Sequence, residues 1–380
     1  MSGSSEGQAA PETMRAFLLT GHGGLDRLEF HADWPVPPMA PDGVLVRVAA
    51  CGMNNTDINT RTAWYSKAVT EGTTQLAGKR ESAAAEEGDG AWGSSQIEFP
   101  RIQGADICGE VVAAGAEAPG GLLGRRVLVD PWIRDPSDPS DSSRSRFLGS
   151  EADGGYAEYV AVPAGNVHPV ESSLSDTDLA SFATAYVTAQ NMLDRAGLKH
   201  GERVLITGAS GGVGSALIQL ARVRGAIPVA MCSAAKADEV RQIGAEAVLP
   251  RTPADLPGEL EAAIGTQTVD VVADVVGGEA WPSLIDVLAT GGRYTCSGAI
   301  AGPIVPLDLR TLYLRDLTFT GATVPAPEAF GRLARSIEQG EIRPLVAAVY
   351  PLERLKDAQR AFLAKEHVGN IVIQIRPHAA

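Results

Sequence analysis

The segment from Arg203 to Gly214, RVLITGASGGVG, constrains the fold more than any other in the chain, because it joins a short apolar strand to a glycine turn that opens a helix. Val204 to Thr207 are apolar or branched, as a buried parallel strand requires. Gly208, Gly211, Gly212 and Gly214 then allow a tight turn and close backbone approach to a pyrophosphate. Ser215 to Val223 continues at helical spacing, so its first N–H groups face the same anion, and Ile227 to Met231 supplies the next strand. A glycine pattern alone is weak; strand before, helix after and a second strand beyond make a dinucleotide site. Ser210 and Val213 complete the turn that would touch the phosphates.

With 380 residues there is chain enough for about two domains, so a dinucleotide fold accounts for only part of it. Thirty-two basic residues against forty-six acidic ones give a net charge of −14, which repels nucleic acid and anionic lipid. There is no apolar run long enough to span a bilayer. The first residues, MSGSSEGQAAPETM, have neither a basic nor an apolar targeting region, so residues 1–13 are expected to be a flexible leader on a cytoplasmic protein. Cys51, Cys108, Cys232 and Cys296 are scattered without CxxC spacing, which suggests buried reduced thiols and neither a disulfide framework nor a zinc knuckle.

From Met14 to about Val170 the chain reads as an all-β lobe, with strands at Arg15 to Leu19, Gly43 to Ala50, Gly109 to Ala113 and Arg126 to Val129. Two irregular inserts, Ser66 to Gln96 and Arg134 to Ser150, read as surface loops or lids. From Asp176 the pattern turns helical and then alternates, placing six parallel strands at Arg203 to Thr207, Ile227 to Met231, Ala247 to Leu249, Val269 to Asp274, Gly292 to Ser297 and Leu317 to Gly321. A helix at Pro327 to Gln339 follows, and Ile342 to Tyr350 with Asn370 to Ile375 return to β character, as though the chain re-enters its first domain.

Several blocks in order carry a family resemblance: CGMNNTDINTR (Cys51 to Arg61), PRIQGADICGEVVAAG (Pro100 to Gly115), GGYAEYVAVPAGNVHPV (Gly154 to Val170), the glycine turn, VDVVADVVGG (Val269 to Gly278), GGRYTCSG (Gly291 to Gly298), LYLRDLTFTGAT (Leu312 to Thr323) and HVGNIVI (His367 to Ile373). The chain from Met14 onward resembles the medium-chain dehydrogenase/reductase superfamily. The resemblance implies an α/β protein: a GroES-like β-rich catalytic domain, residues 14–172 and 341–380, around a Rossmann doubly wound parallel sheet, residues 173–340, with hydride transfer in the cleft between them.

Zinc alcohol dehydrogenases of that superfamily would place metal ligands at the positions of Asn54, Ala105 and Thr184, and amide, methyl and hydroxyl do not hold zinc at neutral pH. The structural zinc lobe is replaced by the Asp/Ser/Pro insert, and no metal is expected. What remains is similar to the zinc-independent quinone oxidoreductase and enoyl reductase branch. A metal-free site needs hydrogen-bond donors for oxyanion charge and a proton source. Asn54 as an amide donor, Thr56 in the relay-hydroxyl slot and Tyr65 at the position of a quinone-reductase site tyrosine are the catalytic candidates. Each has a structural alternative: Asn54 and Thr56 also suit a turn, Tyr65 a packed aromatic. Asp57 reads as structural through an Asx-type bond, and Arg61 as a solvated charge.

Cofactor choice turns on the end of the second Rossmann strand, where an NAD enzyme places an acid for the ribose hydroxyls. This chain has Met231, Cys232, Ser233, Ala234, Ala235 and Lys236 there. Ser233, Lys236 and Arg251 can hold a 2′-phosphate, pointing to NADPH, although ordinary solvated charges would look the same. The resemblance assigns Thr188, Gly298, Ala299 and Ile300 to the nicotinamide and Asn370 to the segment over the phosphates. The expected function is NADPH-dependent hydride transfer to a quinone or α,β-unsaturated carbonyl. A carbonyl reductase or alcohol dehydrogenase, or a non-catalytic NADPH-binding protein, is the alternative. The expected partner is a small-molecule substrate, with no nucleic acid and no membrane, and a homodimer is expected through Leu317 to Gly321.

Overall fold

A computed structural model describes residues 11–80 and 97–376. Six strands form one parallel sheet in the spatial order Ala247–Pro250, Ile227–Cys232, Arg203–Ile206, Val269–Asp274, Leu288–Cys296, Thr318–Gly321. All six expected strands are present. The inner strands are buried on both faces, which is why they read as continuous apolar runs: Val204, Leu205, Ile206, Val271 and Val272 have no exposed surface. The order reverses between Arg203–Ile206 and Val269–Asp274, which puts a ligand crevice at their carboxyl ends.

The second core belongs to a largely antiparallel sheet ordered Val167–Pro169, Arg126–Val129, Asp106–Ala114, Gly43–Gly52, Asn370–Gln374, Val346–Pro351, with Tyr159–Pro163 also paired to Gly43–Gly52. Strand Asn370–Gln374 sets Val372 against Gly52 and Ile373 against Cys51, so the chain returns to its first sheet as its late β character suggests. A smaller sheet holds Leu28–Pro35, Thr13–Leu19 and Arg101–Ile102.

The first lobe is not all β. Helices Asn55–Arg61 and Thr73–Arg80 interrupt it, the second inside the segment read as an irregular insert. Asn55–Arg61 turns almost no side to solvent, since residues 56–61 are all buried although six of its seven residues are polar, so its sequence carries no amphipathic period. The remainder of that insert, 81–96, and residues 1–10 of the expected leader lie outside the described residues; Thr13 already opens the first strand. In the second insert, Arg146–Phe147 pairs with Trp132–Ile133 and Ser142–Arg144 forms a short 3-10 helix. Cys51, Cys108 and Cys232 are buried and Cys296 half-buried, all as free thiols. Among the described residues no helix is long and apolar enough to cross a membrane.

Candidate functional site

The glycine turn is built for an anion. Gly208 has φ +56°, a left-handed conformation that side chains other than glycine's resist. Gly211 caps helix Gly212–Val223, and a Cβ on Gly211 would have only the Gly208 carbonyl at 3.5 Å for company, so the turn is open where a phosphate would approach. Gly214 is closed: a Cβ there would lie 2.3 Å from the Gly208 carbonyl oxygen, so strand and helix touch through it. The helix presents unpaired N–H groups at this opening.

Asn370 arrives at the same place from the other sheet. The Gly369 N–H donates to the Ser210 carbonyl at 2.9 Å, and a Cβ on Gly212 would lie 2.3 Å from Asn370 Oδ1. Asn370 Nδ2 is buried and unpartnered, a donor in want of an acceptor beside the open glycine turn. A dinucleotide pyrophosphate therefore fits the residues present. Val213 is half-buried at the helix start.

At the end of strand Ile227–Cys232, Ser233 is half-buried and Lys236 donates Nζ–H to the carbonyls of Lys365 at 2.6 Å and His367 at 2.8 Å. Two of its three N–H groups thus tie the parallel sheet to the loop before Asn370, leaving one. Lys365 Nζ donates to Asn55 Oδ1 at 2.9 Å. Burial first, then the charge of Lys236, push the Lys365 pKa down to about 7. Burial also lowers that of Lys236, to which exposed Arg251 adds repulsion. Lys236, Lys365 and Arg251 share one corner, where Cys232, Glu239 and Glu366 act against burial to favour the charged Lys236; a bound anion would act in the same sense.

Thr56 and Tyr65 meet. Burial raises the Tyr65 hydroxyl to about 12, while hydrogen bonds from Thr56 and Asn59 hold it lower than burial alone would. Asn59 Oδ1 in turn accepts from Thr73 Oγ1 at 3.0 Å. Asn54 precedes the same helix; its backbone N–H donates to Asp57 Oδ2 at 2.8 Å. Its side chain faces the Asp106 carboxyl closely enough to favour the charged form, yet Asn54 Nδ2 makes no well-formed hydrogen bond. Thr188 lies half-buried on helix Ala183–Arg195, and Gly298, Ala299 and Ile300 follow strand Leu288–Cys296, with Ile300 N–H donating to Val275 O at 3.4 Å.

Asp57 is structural, as its position suggests, but as a helix cap and hub: it also accepts from the Tyr156 hydroxyl at 3.0 Å and Gly104 N–H at 3.2 Å. Burial raises its pKa to about 7 against those donors. Arg61 corrects its expectation. It is wholly buried, donating to Gln359 Oε1 at 2.9 Å and the Gly23 carbonyl at 2.8 Å, because its helix has no solvated face to offer it.

Where zinc dehydrogenases would ligate metal, Asn54 and Thr184 flank Asp106, whose Oδ1 accepts the Thr184 N–H at 2.8 Å; burial lifts its pKa to about 6. Ala105 adds no donor atom. Among the described residues no group of three His, Cys, Asp or Glu side chains could hold a metal ion. Sequence reasoning missed Asn59, Thr73 and Lys365. Asn59 was within reach, one helical turn beyond Thr56; Thr73 and Lys365 are joined to the site only by tertiary packing.

Two family models match: alcohol dehydrogenase GroES-like domain over residues 40–172 and zinc-binding dehydrogenase over 212–339. A solved Sinorhizobium meliloti 1021 protein provisionally described as an alcohol dehydrogenase is 46% identical, with TM-score 0.85, covering 96% of this chain and 97% of its own. An NAD-dependent alcohol dehydrogenase of Sulfolobus acidocaldarius is 28% identical over 91% of this chain and 95% of its own. A quinone oxidoreductase of Mus musculus is 26% identical over 91% and 92%.

Proposed function

Because the chain belongs to the medium-chain dehydrogenase/reductase superfamily, an oxidoreductase family that binds a nicotinamide cofactor, we propose that it is an NADPH-dependent, zinc-independent reductase of quinones or α,β-unsaturated carbonyls. The observation that carries this reading is the pairing of Tyr65 with Thr56 and Asn59 beside ligand positions occupied by Asn54, Ala105 and Thr184. We divide the chain along its two sheets, residues 14–172 with 341–380 and residues 173–340.

When bound, NADPH supplies hydride. The chain's own residues do the rest. Gly211, Gly212 and Asn370 hold the pyrophosphate, and Ser233, the third N–H of Lys236 and Arg251 hold the 2′-phosphate, with no acid there to favour the bare ribose of NAD. As negative charge grows on the acceptor oxygen, Tyr65 donates its hydroxyl hydrogen to it and Asn54 its spare amide N–H. A pKa near 12 keeps Tyr65 protonated across the working range, so it is a donor and never a base. Conjugated acceptors suit such a site, because they spread the charge that a metal would otherwise bind.

A panel of quinones, enones, enoyl thioesters, aldehydes and simple alcohols tests the reading. NADPH oxidation by the first three is expected. Turnover confined to aldehydes or alcohols would replace it with the carbonyl reductase alternative, and tight NADPH binding with no turnover would favour a non-catalytic binder.

A further inference from the structure

The helix Thr73–Arg80 belongs to the segment that sequence alone leaves as an irregular loop, yet its first residue reaches into the site. Thr73 has no exposed surface. Its side chain and backbone point in two directions: Oγ1 donates to Asn59 Oδ1 at 3.0 Å, and the backbone N–H donates to the Ile300 carbonyl at 3.0 Å. The residue before it is held as closely. A Cβ on Gly72 would lie 2.5 Å from that same Ile300 oxygen and 3.1 Å from the Ala301 carbonyl carbon, so only glycine lets the two segments meet.

A carboxamide has one accepting end and one donating end, and which faces a neighbour decides what the neighbour can do. Asn59 receives Thr73 on its oxygen. Its NH2 end is therefore the end left for Tyr65, consistent with Asn59 favouring the ionised phenol as a donor does. A phenol oxygen that accepts from Asn59 keeps its own hydrogen for a third partner. Turned the other way round, the Asn59 oxygen would take that hydrogen and the site would lose its donor.

We propose that Thr73 is a positioning residue that locks the Asn59 amide with its NH2 group toward Tyr65, so that the Tyr65 hydroxyl hydrogen is aimed at the bound acceptor. Because Thr73 also hangs from the Ile300 carbonyl, the aim of Tyr65 is tied to the loop assigned to the nicotinamide. The inference rests on the reading of Tyr65 as the oxyanion donor, and its test separates the two.

Thr73→Val keeps shape and removes the hydroxyl. Turnover with the best acceptor should fall about 10-fold, the cost of roughly one hydrogen bond, with the NADPH dissociation constant and the acceptor KM little changed. Thr73→Ser should restore it. In an Asn59→Ala background, adding Thr73→Val should change nothing further, since the amide it orients is gone. A readout without turnover comes from tyrosine labelled at the ring Cζ: the resonance lost in Tyr65→Phe should shift in Thr73→Val and return in Thr73→Ser. If Tyr65→Phe lowers turnover while Thr73→Val leaves turnover and the resonance in place, the inference fails alone. If Tyr65→Phe has no effect, the donor reading fails and takes the inference with it. Equal, additive losses from Thr73→Val in both backgrounds, accompanied by a lowered melting temperature and unrestored by serine, would reduce Thr73 to a packing residue.

Discussion

Asp106 Oδ1 accepts the backbone N–H of Thr184 at 2.8 Å, so a carboxylate of the antiparallel sheet caps the first turn of the helix that leads into the parallel one. Negative charge is favoured at a helix N-terminus, and burial opposes it; burial wins, raising the pKa to about 6. An unfolded aspartate titrates near ~3.9. The folded state therefore holds this proton more tightly, and the stability so gained is complete below about pH 3.9 and lost as pH rises through 6. Asp106→Asn keeps an acceptor for Thr184 and titrates nothing. Urea unfolding from pH 4 to 7 should show the variant gaining on the natural protein as pH rises; parallel curves would mean that Asp106 is ionised throughout.

Purified protein should carry no stoichiometric zinc and should keep its activity after chelation, because Asn54, Ala105 and Thr184 supply no thiolate or imidazole. Elemental analysis decides this. One zinc per chain, lost together with activity, would overturn the mechanism.

Lys236→Ala should weaken NADPH far more than NADH, since a charge-assisted bond to phosphate contributes about 1.5–3 kcal/mol. The variant also cuts the ties to Lys365 and His367, a loss both cofactors would feel alike. The difference between the two is thus the measure of 2′-phosphate contact, and Arg251→Ala, which cuts no such tie, is its control. Equal losses for NADPH and NADH would remove Lys236 from the cofactor site.

Tyr65→Phe keeps the ring and deletes one donor, so turnover of enones or quinones should drop about 10²-fold with NADPH binding nearly unchanged. Fluorescence titration and steady-state rates on the same preparation check it. A raised NADPH dissociation constant with kcat intact would make Tyr65 a packing residue of the cofactor cleft.

Light scattering at micromolar concentration should give twice the 39.6 kDa chain mass. Among the described residues, strand Thr318–Gly321 pairs only with Leu288–Cys296, and no other strand meets its outer edge. Its large apolar residue, Phe319, packs inward against Trp281 and Tyr294, so the strand itself is less apolar outward than its sequence suggests. Exposed apolar surface comes instead from Ile304, Leu309, Tyr313 and Leu314, in the segment that leads into the strand. Tyr313→Glu with Leu314→Glu should yield a monomer; a single-chain mass for the natural protein would rule the association out.

The parallel sheet was legible because two-sided burial writes itself as apolar runs in the inner strands, and the first of them, Arg203–Ile206, meets Gly208 two residues past its carboxyl end. Candidate cofactor residues beyond that end, Ser210 and Gly211, could be read with it. The proposed catalytic corner was not, beyond the candidates Asn54, Thr56 and Tyr65, for a physical reason. Asn59, Thr73 and Lys365 act through bonds spanning 14 residues for Thr73 and Asn59 and 310 for Lys365 and Asn55, and no local period records such contacts. Arg61 misled for the opposite reason: a guanidinium whose Nε donates to Gln359 and whose Nη1 donates to Gly23 can be buried whole, and neither partner is near it in sequence.

Strand Asn370–Gln374 lies inside the antiparallel sheet, between Gly43–Gly52 and Val346–Pro351, yet it follows the entire parallel sheet in the chain. On the ribosome the early strands therefore emerge with an inner place vacant, and the parallel sheet is synthesised while that place is still empty. The same late strand brings Asn370 to the glycine turn. A nascent chain thus brings Asn370 to the glycine turn only after the whole parallel sheet has been synthesised, and the corner proposed for the cofactor phosphates closes in the same step as the older sheet.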